Sequence, residues 1–191
     1  MHLPYWINSY LSETEAEQLA SVVALSEKKT NAEIVPMIVK SSTSSLVELS
    51  RVGLLIALAT SLILGQLVLF LVFGALYLGH RKYRKEKVFQ RAVKEFQLAG
   101  ITQTKSKTGV LIFISLKEKQ IVVLADEGIN DFTSSKTWIE ITTKLIHKIK
   151  HHHLAQGVAE AIIEVAQVCS KIAPPVANDL NEISDKVVIK E

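Results

Sequence analysis

At 191 residues, with a formal net charge of +3 and a single cysteine, Cys169, the chain is about one domain long. It is too weakly basic to suggest a nucleic-acid partner, and it cannot form an intramolecular disulfide framework. Mean hydropathy is positive, and most of the excess comes from one run, Val52 to Gly79, inside an otherwise soluble composition.

The opening stretch, MHLPYWINSYLSETEAEQ, has neither the basic start nor the continuous apolar core of a secretory leader, so the N-terminus is expected in the cytosol. Ser12 followed by Glu15 has the spacing of a capping box, and Leu19, Val22 and Val23 place apolar groups on one face of a helix ending near Thr30. EIVPMIV, Glu33 to Val39, is short and β-branched and reads as a strand, with Pro36 pointing to a sheet edge or a bulge. SSTSS, Ser41 to Ser45, reads as a polar linker. Beyond the apolar run, Val88 to Leu98 reads as a helix stopping near Gly100. TGVLIFISL and QIVVLAD, joined by KEK, have hairpin spacing. Ser134 is placed to cap a helix carrying Trp138, Ile141, Leu145 and Ile149. A last amphipathic helix carries Leu154, Val158, Ile162, Val165 and Ile172 and is stopped by APP. The tail, Asn178 to Glu191, is polar and expected to be poorly ordered.

The 28 residues from Val52 to Gly79 carry no charge, more than the roughly 20 that cross a bilayer core. One straight helix of that length, roughly 42 Å, would have to tilt, whereas two full spans need about 40 residues. Length therefore favours one span. Two other considerations favour a helical hairpin bent at Gly65 and Gln66. A cytosolic N-terminus combined with a single span would export the basic cluster Arg81, Lys82, Arg84, Lys85 and Lys87, against the positive-inside rule. A strand at 33–39 also needs a sheet, and its partners lie beyond the apolar run. Either way the basic cluster is a membrane-surface anchor, each cation near anionic lipid contributing roughly 1 kcal/mol.

Three stretches, EKKTNAEIVPMIV, TGVLIFISLKEKQIVVLADEGI and GVAEAIIEVAQVC, resemble the TPM domain family. This α/β domain is found in a thylakoid-lumen protein of photosystem II repair and in bacterial membrane proteins. The resemblance implies a small mixed sheet with helices on both sides, the first strand lying in one sheet with the later hairpin. The membrane segment then becomes an insertion into a loop. The expected organisation is a first part of the domain at 1–45, a transmembrane segment or hairpin at 46–80, the second part at 81–175 and a polar tail at 176–191. The resemblance implies a bacterial inner-membrane protein, and the basic cluster together with the leaderless start puts its domain at the cytosolic face as an expectation.

No P-loop, GxSxG, HExxH or CxxC motif occurs. ADEGIND puts Asp126, Glu127 and Asp131 at the end of a strand and in the following loop, a place where oxygen ligands can collect a divalent cation such as calcium, although the same residues form turns. Acid phosphatase activity and calcium binding are assigned to some TPM domains, but no DxDx motif accompanies these carboxylates. His147, His151, His152 and His153 diverge around a helix and do not make a preorganised metal site, and Cys169 and Trp138 lie on apolar stripes as core residues. The functional expectation is a membrane-anchored module binding other membrane proteins and lipid. The alternative is a cation-dependent phosphatase.

Overall fold

The computed structural model describes residues 3–43, 66–176 and 181–191. Helix α1, Glu13–Glu27, starts on the expected capping box: the Ser12 hydroxyl accepts from the Glu15 N–H, and the Glu15 carboxylate accepts from the Ser12 N–H at 2.8 Å. The next elements are β1, Ile34–Val39, and a 33-residue helix α2, Gln66–Leu98. The hairpin β2–β3, Val110–Ser115 and Gln120–Ala125, follows. A short α3, Glu127–Asn130, precedes α4, Ser135–Lys150, α5, Leu154–Ile172, and β4, Val188–Lys190.

The sheet order is β3-β2-β1-β4. β1 runs parallel to β2, Ile34 facing Val110 and Val39 facing Ser115, and parallel to β4, while β2 and β3 are antiparallel. The first strand therefore lies in one sheet with the hairpin, as its isolation in the sequence predicted. Both central strands are buried along their whole length because both faces are covered. On one face Ile34, Ile38, Val110, Ile112 and Ile114 pack against α1, α4 and α5; on the other, Val35, Met37, Val39, Leu111 and Phe113 pack against Val88, Ala92 and Phe96 of α2. Trp138 and Cys169 belong to the first of these cores. The architecture is α/β, a small mixed sheet between helical layers.

Three expectations need correction. The tail is ordered where it matters: Val188–Lys190 adds a parallel edge strand to β1. Pro36 consequently lies in an interior strand. The Glu33 and Val39 carbonyls accept from Val110 and Leu116, whereas the Lys40 N–H donates to Lys190 on the other side. Even-numbered β1 positions thus face β4, which begins only opposite Met37. Pro36 lacks an N–H just where no partner strand lies, and the neighbouring Ile34 N–H is taken by the Glu27 carboxylate at 2.8 Å. Proline and a carboxylate together block that edge. The third correction concerns the basic cluster, which was expected to separate a membrane segment from a helix starting at Val88; α2 runs unbroken from Gln66 through it to Leu98. Lys, Arg and Glu are strong helix formers, so a change of polarity need not end a helix.

Residues 52–65 of the apolar run, including Gly65 of the expected bend, lie outside the described residues, and Gln66 opens α2. Among the described residues no helix is long and apolar enough to cross a membrane.

Candidate functional site

Asp126 closes β3 and caps α3. Its N–H donates to the Gly109 carbonyl at 2.9 Å, its Oδ1 accepts from the Glu127 N–H at 2.9 Å, and its carbonyl accepts from Ile129 and Asn130. The side chain is buried, and among the described residues Oδ2 has no hydrogen-bond partner. Glu127 and Asp131 are exposed, one turn of backbone joining them through the Asp131 N–H and the Glu127 carbonyl at 3.2 Å. The turn gathers all three residues in one place but does not aim their carboxylates at one point. A hard cation such as calcium needs six to eight oxygens, and among the described residues no three His, Cys, Asp or Glu side chains are placed to hold a metal.

His147 and His151 stack with ring centroids 4.4 Å apart at the end of α4, with His151, His152 and His153 exposed. Cys169 is fully buried, and burial pushes its thiol up to about 12, far from a reactive thiolate.

The opposite end of the sheet is more informative. At the C-terminal end of β1 the chain leaves through Ser41–Thr43, and these residues converge on Glu118 in the β2–β3 turn. Its carboxylate accepts from Ser41 Oγ at 2.9 Å, the Ser42 N–H at 3.0 Å, the Thr43 N–H at 3.2 Å, Thr43 Oγ1 at 2.6 Å and the Ser115 hydroxyl. Burial raises the Glu118 carboxyl, but the hydrogen bonds from Ser115, Thr43, Ser42 and Ser41 outweigh it and hold the group below the ordinary glutamate value. Nothing in KEK announces this role; four of the five donor groups sit about 75 positions earlier in what reads as a plain linker. The Arg91 guanidinium adds bonds to the carbonyls of Ser41 and Glu191.

α2 overshoots this same end. Arg81 and Lys85 precede the buried Val88 and Ala92 by seven residues each, two helical turns, and so share their face. Beyond the sheet that face carries the exposed Arg81 and Lys85, and elsewhere around the same turns Lys82 is exposed, Arg84 and Lys87 are half-buried, and the Lys87 ammonium lies 5.6 Å from the Tyr83 ring centre. Tyr77 and Leu78 are exposed one turn further out. The fold brings further exposed cations to this end: Lys40 after β1, Lys117 and Lys119 in the hairpin turn, and Lys150 closing α4. The Lys117 N–H bonds to the Lys40 carbonyl, and Lys119 and Lys150 line one small hollow. These four lysines are scattered in sequence, so charge counting along the chain misses the basic end they build.

Fold and site together define a small three-layer α/β domain with a basic end from which a long helix projects. Residues 77–168, just under half of the chain, match the family model of the TPM domain. No curated protein matches the sequence. Among solved structures, the NMR structure of the BA42 protein from the psychrophilic bacterium Bizionia argentinensis is similar, with a TM-score of 0.67 and 20% identity over 94% of this chain and 95% of that one. At that identity the likeness carries the fold alone.

Proposed function

We infer that this chain is a membrane-surface module: its basic end rests on anionic lipid at the cytosolic face of a bacterial membrane, the apolar run Val52 to Gly79 anchors it there, and its TPM domain is held out to partner proteins. The observation that carries the reading is the continuity of α2. One helix, roughly 50 Å long at 33 residues, joins the last 14 residues of the apolar run to the buried Val88, Ala92 and Phe96, with the basic cluster between. A domain fixed to such a helix has its orientation to the lipid set by packing. Lys40, Lys117, Lys119 and Lys150 surround the base of that helix and extend the cationic surface. Exposed Phe132 and Ile139 lie on or beside α4 and offer apolar contacts to a partner. The dispersed carboxylates of Asp126, Glu127 and Asp131 add nothing to the phosphatase alternative.

The test is flotation of the full chain with vesicles containing phosphatidylglycerol and with vesicles of phosphatidylcholine alone. The reading expects tighter binding to the anionic vesicles, and Lys82→Gln with Lys85→Gln to weaken it by about 2 kcal/mol, roughly 30-fold, without loss of fold. Equal binding to both vesicle types would overturn it.

A further inference from the structure

Leu78, Arg81, Lys82 and Lys85 surround an open hollow of about 350 Å³ on α2. Counted from Leu78, the cations stand three, four and seven residues along, so all four side chains share one stretch of helix surface, with Cβ atoms one turn apart roughly 5–6 Å from each other. All four residues are exposed. Among the described residues no carboxylate lines the hollow, and none of the three cations forms an ion pair. Glu86, the acid nearest in sequence, accepts from the Gln90 side-chain amide at 3.0 Å instead. Arg91, Lys136, Lys144 and Lys148, by contrast, each sit against a glutamate. Three positive charges therefore border one small space with nothing negative on its lining to offset them.

Given the membrane-surface reading, on which this inference rests, we propose that the hollow binds the phosphomonoester headgroup of a lipid, phosphatidic acid being the simplest, in preference to phosphodiester headgroups. The charge fits. A phosphomonoester loses its second proton near pH 6 and carries close to two negative charges at neutrality, whereas a phosphodiester carries one. Neighbouring cations favour the doubly charged form further. The donors fit as well: the Arg81 guanidinium is a planar fork suited to two phosphate oxygens, and an ammonium group of Lys82 or Lys85 suits a third. A monoester offers three terminal oxygens and a diester only two.

Leu78 argues for a lipid rather than a soluble phosphate. It belongs to the apolar run, edges the hollow on that side, and is 64% exposed. A soluble phosphate leaves this apolar surface in water, whereas an acyl chain covers it. Dispersed cations such as Lys40, Lys117, Lys119 and Lys150 respond to the charge density of the surface; the hollow adds a choice between headgroups.

The test titrates the full chain in dodecyl maltoside micelles, at neutral pH, with dioctanoyl phosphatidic acid, dioctanoyl phosphatidylglycerol and glycerol 3-phosphate, following the Leu78 methyl signals by NMR. Phosphatidic acid is expected to saturate the shift at one per chain and to bind about tenfold more tightly than either of the others. Arg81→Gln with Lys85→Gln is expected to abolish that preference. Lys28→Gln with Lys29→Gln removes the same charge from exposed positions at the end of α1 and is expected to leave it unchanged. Equal affinity for the two lipids, or no saturable shift with either, would overturn the site without touching the membrane-surface reading, which stands or falls on the vesicle flotation. Glycerol 3-phosphate binding as tightly as phosphatidic acid would overturn the lipid as ligand. A preference that survives Arg81→Gln with Lys85→Gln would refute the hollow as its seat; the comparison of the three ligands on the unmodified chain decides even if a variant fails to fold.

Discussion

Replacing Glu118 by Gln keeps the shape of the side chain and exchanges one acceptor oxygen for an N–H₂ donor. Each oxygen faces a backbone N–H that cannot turn away: Oε2 meets Ser42 at 3.0 Å and Oε1 meets Thr43 at 3.2 Å. Whichever way the amide is flipped, one backbone donor is left facing another. The hydroxyls of Ser41, Thr43 and Ser115 can rotate and become acceptors, so their loss is partial. Losing one hydrogen bond to a charged acceptor costs about 1.5–3 kcal/mol, and weakening the rest from charged to neutral adds to it, so we expect about 3 kcal/mol. In a chain of this length that lowers the unfolding midpoint by about 6–12 °C. Thermal unfolding followed by far-UV circular dichroism at pH 7 measures it. Because the Glu118 carboxyl lies below its ordinary value in the fold, its contribution is present above about pH 4.5 and is lost as pH falls through the folded value. The gap between the two proteins should therefore narrow at pH 3.5. A midpoint within about 2 °C of the unmodified protein at pH 7 would refute the assignment, as would a gap indifferent to acid.

Two other outcomes are expected. Gly109→Ala would set a methyl group 2.4 Å from the Ile101 side chain and 2.5 Å from its carbonyl oxygen; since the backbone must shift, a loss of at least about 2 kcal/mol is expected in denaturant unfolding at neutral pH. Cys169, buried with its thiol pushed up to about 12, should resist a thiol-reactive disulfide reagent in the folded protein at pH 8 and react at once in denaturant; rapid labelling of the native chain would place it elsewhere than in the core.

The elements read correctly from the sequence were those whose signals are local. Ser12 and Glu15 define a cap by spacing alone, TGVLIFISL and QIVVLAD define a hairpin, and α4 and α5 carry their own stripes. The pairing of β1 with β2 was also legible, because an isolated strand has to find a sheet. Features that depend on distant partners were not. β4 holds only three residues in a polar tail, and only its seat beside β1 makes it a strand. Glu118 and Glu27 look like ordinary charged residues until the fold surrounds the first with donors and buries the second beside other carboxylates. Conversely, Asp126 carried the chemistry one expects of a ligand, yet its carboxylate is turned inward as a helix cap.

The seat of β1 also sets a timetable for the nascent chain. Ile34 finds its partner Val110 about 75 residues later, which at roughly 5–20 residues per second means waiting roughly 4–15 s on the ribosome. Throughout that interval IVPMIV, six residues destined for complete burial, has no sheet to join. Such a run is an aggregation hazard, and Pro36 in its middle is the residue type that interrupts strand stacking. The same proline that blunts the finished edge of the sheet thus guards the strand before the sheet exists, and replacing it with valine would be felt first in the yield of newly made protein.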